Sequence, residues 1–264
     1  MSVTPEPPVA LNKRISYENL VVECPWCGRA NIFNRVSDLK THDPISSRLV
    51  TCLLDDCRKP FRITGDSVYP AHEMLIDDCY ELLDRKQYVN CILTLTQAYE
   101  MFFSLYLRVE LLYKPFAASP AHDRVEFNRL HDLLQEKLAN LSFGPLRALF
   151  LYYVTSRRPP KNIFEAQRLV ESLTVPPLLE ESDINRVDDV DLMRVLKALR
   201  RTTINKLRND VVHKTAHRPT FDEVEAALQE TQFILLGLNS HLKLRDDLNW
   251  YMSRQAVADG LPPA

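Results

Sequence analysis

The segment LRNDVVHKTAH, residues 207–217, places side chains suited to acid–base and phosphate chemistry close together. His213 can accept or donate a proton near neutral pH, because an unperturbed imidazole has a pKa of about 6.5. Arg208 carries a permanent charge on a planar fork that matches two phosphate oxygens. Cleavage of RNA without a metal needs such groups to deprotonate a ribose 2′-hydroxyl, protonate the leaving 5′-oxygen and hold the phosphorane. We therefore take Arg208, Asn209 and His213 as candidate catalytic residues.

Helical geometry limits how these residues can cooperate. Asn209 and His213 are four positions apart and share one face of an ideal helix. Arg208 and His213 are five apart and so lie about 140° from each other around the helix axis. We therefore expect that the helix bends or ends between them, or that a second copy of the chain completes the site across a twofold axis. The alternative is an ordinary polar rim at a helix end.

Four cysteines near the N-terminus form a second candidate site, as Cys24-x2-Cys27 and Cys52-x4-Cys57. Two thiolates on one tight turn can bind a metal ion, and a second such turn completes a tetrahedral site that suits zinc. The segment resembles a zinc ribbon over about residues 17–68, with CPWCG as its first knuckle. The x4 spacing departs from the usual x2, so a disulfide or free thiols stay open as alternatives. A bound zinc ion would be structural and would supply much of the folding energy of so small a module.

Composition excludes several classes of function. The 264 residues carry a formal net charge of −2, so the chain is not a polycation that coats nucleic acid by charge alone. With 5 glycines and no glycine-rich phosphate loop, the common nucleotide-binding motifs are missing. No apolar run reaches the roughly 18 residues of a membrane span. The start of the chain lacks a signal peptide, and we expect a soluble, cytoplasmic protein without a membrane partner.

Residue patterns along the chain predict a small β module followed by helices. Residues 1–14 are proline-rich and are predicted to be a disordered tail, and residues 15–70 contain short β-like runs. Residues 71–252 show helical periodicity, including one helix over 188–207 and a final helix that begins with a capping box of Thr220 and Glu223. Residues 253–264 are predicted to be a flexible tail. Cys79 and Cys91, on apolar helical stretches, are predicted to be buried structural thiols.

The stretch Arg208-Asn209-Asp210-Val211-Val212-His213 resembles the R-x4-6-H motif of the HEPN superfamily. The predicted helices upstream, in LIDDCYELLDRKQYVNCILTLTQAYEMFF, are similar to the opening hairpin of that family. The resemblance covers about residues 71–113 and 189–243 and implies a mainly α fold, a HEPN-like helical bundle with a helical insertion at 114–188. It also implies a metal-independent endoribonuclease that forms a homodimer, in a toxin–antitoxin or phage-defence setting with an antitoxin or regulatory protein as a partner.

The resemblance implies further site residues. Glu100, in QAYEMFF, matches a polar residue that many members carry on the second helix, facing the motif. Members silenced by tyrosine adenylylation carry a tyrosine two positions after the histidine, where this chain has Thr215. The basic residues beside the motif are Lys206, Lys214, His217 and Arg218. We predict that they contact RNA phosphates. The alternative is that they lie at a helix C-terminus only because the helix dipole favours cations there.

Two other functions compete with the ribonuclease. The helical domain and the ribbon can form a non-catalytic adaptor that binds nucleic acid or protein, with Arg208 and His213 as a structural rim. A weaker alternative is a ribbon-type DNA-binding regulator, which the near-neutral charge disfavours because duplex binding relies on phosphate neutralisation. In the leading interpretation, the ribbon helps to recognise RNA or a partner and the helical domain cleaves the RNA.

Overall fold

A computed structural model describes residues 18–34, 38–39, 47–64, 69–117, 124–156, 159–213 and 217–244. The predicted tails at 1–14 and 253–264, the residues 245–252 that precede the second tail, and Lys214 lie outside the described residues. The described part is mainly helical with small sheets at its N-terminal end, as the sequence predicts. No described helix combines the length and the apolarity that crossing a membrane requires.

Two small antiparallel sheets form the N-terminal module. In the first, β1 (Glu18–Glu23) lies between β2 (Ala30–Asn34) and the short β5 (Tyr69–Pro70). In the second, β3 (Ser47–Thr51) pairs with β4 (Pro60–Thr64). Burial alternates along β2, as expected for a strand with one covered face. The two sheets share a small apolar core with the cysteines, made of Leu20, Phe33, Leu39, Phe61 and Ile63.

Helices occupy the described chain from residue 71 onward. They are α1 (Ala71–Asp84), α2 (Tyr88–Arg108), a π-helical segment (Val109–Tyr113), α3 (Lys114–Ala117), α4 (Arg124–Ala139), α5 (Phe143–Ser156), α6 (Ile163–Glu171), α7 (Glu181–Ile184), α8 (Val190–Arg201), α9 (Ile204–His213) and α10 (Phe221–Leu242).

Helix α2 is the central helix, and α1, α5, α9 and α10 all pack against it. Its second half is apolar on nearly every side, which is typical of a helix that is covered all round. Tyr99, Phe102 and Phe103 are fully buried there and contact Phe143 and Phe150 of α5 at ring-centroid distances of 4.9 to 5.9 Å. These aromatic contacts fix the position of α5 against α2.

The predicted single helix over 188–207 is wrong, because the chain forms two helices, α8 and α9, separated by Thr202 and Thr203. The buried Thr202 hydroxyl donates to a Glu230 carboxylate oxygen of α10 at 2.8 Å, and it accepts from the backbone N–H of Ile204 at 3.3 Å. A threonine side chain that bonds the backbone ahead of it caps a new helix and competes with continuation of the old one. The break therefore sets the direction of α9, which carries the Arg–His motif.

Local capping signals act as the sequence predicts at the start of α10. The Thr220 hydroxyl accepts from the N–H of Glu223 at 3.3 Å, and the Glu223 carboxylate accepts from the N–H of Thr220 at 2.8 Å. This reciprocal pair confirms the predicted capping box. It defines the first turn of the helix that packs on both α2 and α8.

Candidate functional site

The first cysteine pair lies on a tight turn between β1 and β2. The N–H of Gly28 donates to the carbonyl of Cys24 at 2.8 Å, and the N–H of Cys24 donates to the carbonyl of Arg29 at 3.0 Å. Gly28 has a φ of 69°, in the left-handed region that glycine adopts without a steric penalty. The N–H of Arg29 lowers the pKa of Cys27 to about 7, whereas burial and the neighbouring thiols raise the pKa of Cys57 to about 11.

The second cysteine pair uses the same turn despite its longer spacing. Arg58, directly after Cys57, has a φ of 47° and takes the left-handed position that Gly28 has after Cys27. The N–H of Cys52 donates to the carbonyl of Lys59 at 3.0 Å, two residues after the second cysteine, as in the first pair. The two extra residues therefore lengthen the loop before Cys57 without changing how the loop ends.

The four sulfur atoms converge on one point. All four lie within 4.8 Å of one another, with Sγ···Sγ distances of 3.8 Å for Cys24–Cys57 and 3.9 Å for Cys27–Cys52. A tetrahedral zinc ion with bonds of about 2.3 Å requires sulfur atoms about 3.8 Å apart. A disulfide requires about 2.05 Å, so the sulfur spacing fits a metal ion and not a covalent bridge. The cluster is thus compatible with one zinc ion.

Polar contacts hold the two turns together. Asn31, which is buried, accepts from the N–H of Leu53 at 2.6 Å and donates to the carbonyl of Arg29 at 3.1 Å. The Arg29 guanidinium pairs with the Asp56 carboxylate across the two turns. The Trp26 indole N–H donates to the carbonyl of Pro60 at 2.8 Å. Sequence reasoning did not single out Asn31, because its partner lies 22 positions away and no local pattern signals it.

The second site is on α9, which packs against α2. Arg208 Nη1 donates to Asn209 Oδ1 at 3.0 Å and lies 3.3 Å from His213 Nε2. The expectation that the helix bends or ends between Arg208 and His213 is wrong, because α9 continues through both residues. The alternative of a second copy that completes the site stays a prediction. The long arginine side chain spans the angle between them, and His213 occupies the last position of the helix.

The Arg208–His213 contact joins a permanent cation to an acid–base group. An arginine nitrogen can only donate a hydrogen bond, so His213 Nε2 is the acceptor in this contact.

Glu100 of α2 lies within electrostatic reach of the same arginine. The carboxylate is half-buried, and burial raises its pKa above the ordinary range. The charge of Arg208 and the backbone N–H of Phe143, the first residue of α5, both oppose that shift. Glu100 therefore lies between the motif on α9 and the start of α5, an element that sequence reasoning had assigned only to an insertion.

The basic residues beside the motif have mixed surroundings. Lys206 and His217 line a groove of about 520 Å³ between α9 and α10, together with Asp210, Glu223 and Glu230. His217 Nε2 lies 3.8 Å from the Glu223 carboxylate, and Arg218 is exposed. A phosphate in this groove would face three carboxylates.

Comparison of the chain with known protein families, with characterised proteins and with solved structures found no match. The geometry of the two sites is therefore the basis of the functional argument.

Proposed function

We propose that this chain is a metal-independent endoribonuclease with a HEPN-like helical domain and a structural zinc ribbon. The observation that carries the proposal is the 3.3 Å contact between Arg208 Nη1 and His213 Nε2. It places a permanent cation next to an imidazole nitrogen in the last turn of α9, where both groups can be reached. His213 is exposed and Arg208 is half-buried.

Each of the site residues has a separate role in RNA cleavage. When a phosphodiester enters, the Arg208 guanidinium binds the non-bridging oxygens and His213 Nε2 takes the proton from the 2′-hydroxyl. The 2′-oxygen then attacks the phosphorus, and the product carries a 2′,3′-cyclic phosphate. Asn209 Oδ1 binds one Arg208 nitrogen and so orients the fork, and Glu100 balances the arginine charge. This mechanism requires no metal at the cleavage site.

The leaving 5′-oxygen must gain a proton, and each motif has one histidine. We assign the acid to His213 of a second copy, in a homodimer whose motifs face each other across a twofold axis. The resemblance to HEPN proteins places such an enzyme in a toxin–antitoxin or phage-defence system of the cytoplasm, with RNA as substrate and an antitoxin as regulator. The ribbon, with zinc held by its four cysteines, aids RNA or partner recognition.

The test is RNA cleavage by the purified protein, at an EDTA concentration that leaves the zinc content per chain unchanged. We expect fragments with 2′,3′-cyclic phosphate ends. We expect His213→Ala to lower the cleavage rate by about 10²- to 10⁴-fold, the usual contribution of a positioned acid or base. Arg208→Ala should do the same while circular dichroism and zinc content stay constant.

His241→Ala serves as the matched control, since His241 lies on α10 and pairs with Asp189 at 3.4 Å. Undiminished cleavage by His213→Ala would remove the catalytic assignment. RNA binding without any fragments from the unaltered chain would instead support the non-catalytic adaptor.

A further inference from the structure

Arg147 of α5 is a half-buried cation without an anionic partner among the described residues. Its Nη1 makes one long hydrogen bond, 3.4 Å, to the backbone carbonyl of Arg200 at the end of α8. Its Nε is buried and has no hydrogen-bond partner within the described ranges of the chain. By contrast, Arg200 and Arg201 each pair with a glutamate, at 3.1 and 2.5 Å.

The surroundings of Arg147 disfavour its charge. Burial lowers the pKa of its guanidinium, and the neighbouring charge of Arg200 lowers it further. Arginine nevertheless stays protonated in proteins. A half-buried permanent cation beside a second cation is stabilised by any anion that reaches it, and the N–H groups of a planar guanidinium match phosphate oxygens.

Arg147 is connected to the Arg–His site through the first turn of α5. Phe143 lies one turn before Arg147, whose guanidinium carbon is 5.3 Å from the Phe143 ring centroid. The backbone N–H of the same Phe143 acts on Glu100, and Glu100 also feels the charge of Arg208. Phe143 thus contacts Arg147 through its ring and Glu100 through its backbone, and Glu100 links it to Arg208.

The segment that leads from Arg147's contact at Arg200 to Arg208 contains cations but no carboxylate. Residues 192–209 contain no Asp or Glu, and their cations are Arg194, Lys197, Arg200, Arg201, Lys206 and Arg208. Arg200 and Arg201 are each paired with a glutamate that precedes the segment, so the segment offers Arg147 no carboxylate of its own.

We propose that Arg147 is a second phosphate-binding residue, which holds a phosphodiester of single-stranded RNA next to the one that Arg208 holds. The proposal rests on the proposed ribonuclease function and defines how its substrate extends across α5. Two arginines that bind neighbouring phosphates fix the direction of the strand through the site. The alternative role, a cap for the carbonyl at the end of α8, affects folding and not RNA.

The experiment measures binding of a fluorescent single-stranded RNA to the full chain carrying His213→Ala, so that the RNA is not cleaved. In that background we expect Arg147→Gln to weaken binding about 5- to 10-fold. It should also reduce the slope of log K against log salt by about 0.7, the value for one phosphate contact on a single strand. Arg147→Lys keeps the positive charge but lacks the planar guanidinium. It should bind RNA more tightly than Arg147→Gln and more weakly than the chain with Arg147.

Arg129→Gln is the matched control, since Arg129 lies on α4 and pairs with Glu126 and Glu171. It removes the same charge and should leave affinity and salt slope unchanged. An Arg147→Gln chain with lower thermal stability but unchanged affinity and slope would show a capping role and overturn the proposal. Equal weakening by Arg129→Gln would show a general charge effect and overturn it too.

The proposal for Arg147 and the ribonuclease function fail in different ways. If the unaltered chain cleaves RNA but Arg147→Gln binds RNA normally, only the role of Arg147 is wrong. If the unaltered chain binds RNA through Arg147 but produces no fragments, only the nuclease function is wrong. If the unaltered chain neither cleaves nor binds RNA, both are wrong.

Discussion

His72 is expected to make the fold sensitive to acid. It is the second residue of α1, directly after β5, and its side chain is 1% exposed. Its ring meets Phe102 edge to face at a centroid distance of 4.9 Å. Neither ring nitrogen has a hydrogen-bond partner in the part of the chain that the structure describes, and Glu73 is 4.0 Å away. Burial therefore lowers the pKa of His72 from 6.5 to about 3.

The sign and size of the effect follow from proton linkage. Between pH 6.5 and about 3, the folded state binds fewer protons at His72 than the unfolded state does. The stability that the neutral ring contributes is thus fully present above pH 6.5 and is lost as the pH falls, by about 1.4 kcal/mol per pH unit. Relative to pH 7, the loss at pH 5 is about 2 kcal/mol.

The assay is denaturant unfolding at pH 7 and pH 5 with zinc present, followed by helical circular dichroism. His72→Phe keeps an aromatic ring against Phe102 and removes the titrating group. Between pH 7 and pH 5, the free energy of unfolding should fall for both chains. We expect the decrease to be about 2 kcal/mol smaller for His72→Phe than for the unaltered chain. His241→Gln, which replaces a partly exposed histidine, should fall as much as the unaltered chain does.

The comparison uses the difference between the two pH values, so a constant effect of the substitution on packing cancels. Acid loss of zinc affects all three chains alike and cancels as well. Suppose that His72→Phe loses as much stability between pH 7 and pH 5 as the unaltered chain does. His72 then binds its proton equally well in the folded and the unfolded state. Burial would then not lower the pKa of His72 in the folded state.

Three further predictions address the metal centre, the site and the helix break. Cys52→Ser should abolish zinc binding and unfold the ribbon while helical circular dichroism is kept, because metal binding supplies the folding energy of small domains; full zinc content would contradict a four-sulfur site. Glu100→Gln should raise the free energy of unfolding at pH 7, since a raised pKa means that ionisation costs stability as the pH rises through it. It should also slow RNA cleavage, and an equally active variant would remove Glu100 from the site. Thr202→Val should cost about 1–2 kcal/mol in denaturant unfolding, because Glu230 loses its donor and Ile204 its cap; a change near zero would show that other contacts define the break.

Features that depend on a few neighbouring residues could be predicted from the sequence. The two cysteine pairs predicted a metal site, because the placement of two ligands on one turn depends only on local geometry. The capping box at Thr220 and Glu223 was predicted because its hydrogen bonds join residues three positions apart. The change from β-like runs to helical periodicity near residue 71 was likewise visible, because apolar spacing follows the helix repeat.

The sequence by itself thus determined which four cysteines form the cluster, the helical class of the main domain and the residues of the Arg–Asn–His motif. Only the tertiary structure decided how these parts are placed. The break before α9 needs Glu230 of α10, and the neighbourhood of Glu100 needs Phe143, 43 positions away. The meeting of Arg208 with His213 depends on side-chain torsions that no spacing rule specifies. Contacts between distant residues and choices of rotamer arise from packing, so they appear only when the whole chain is folded.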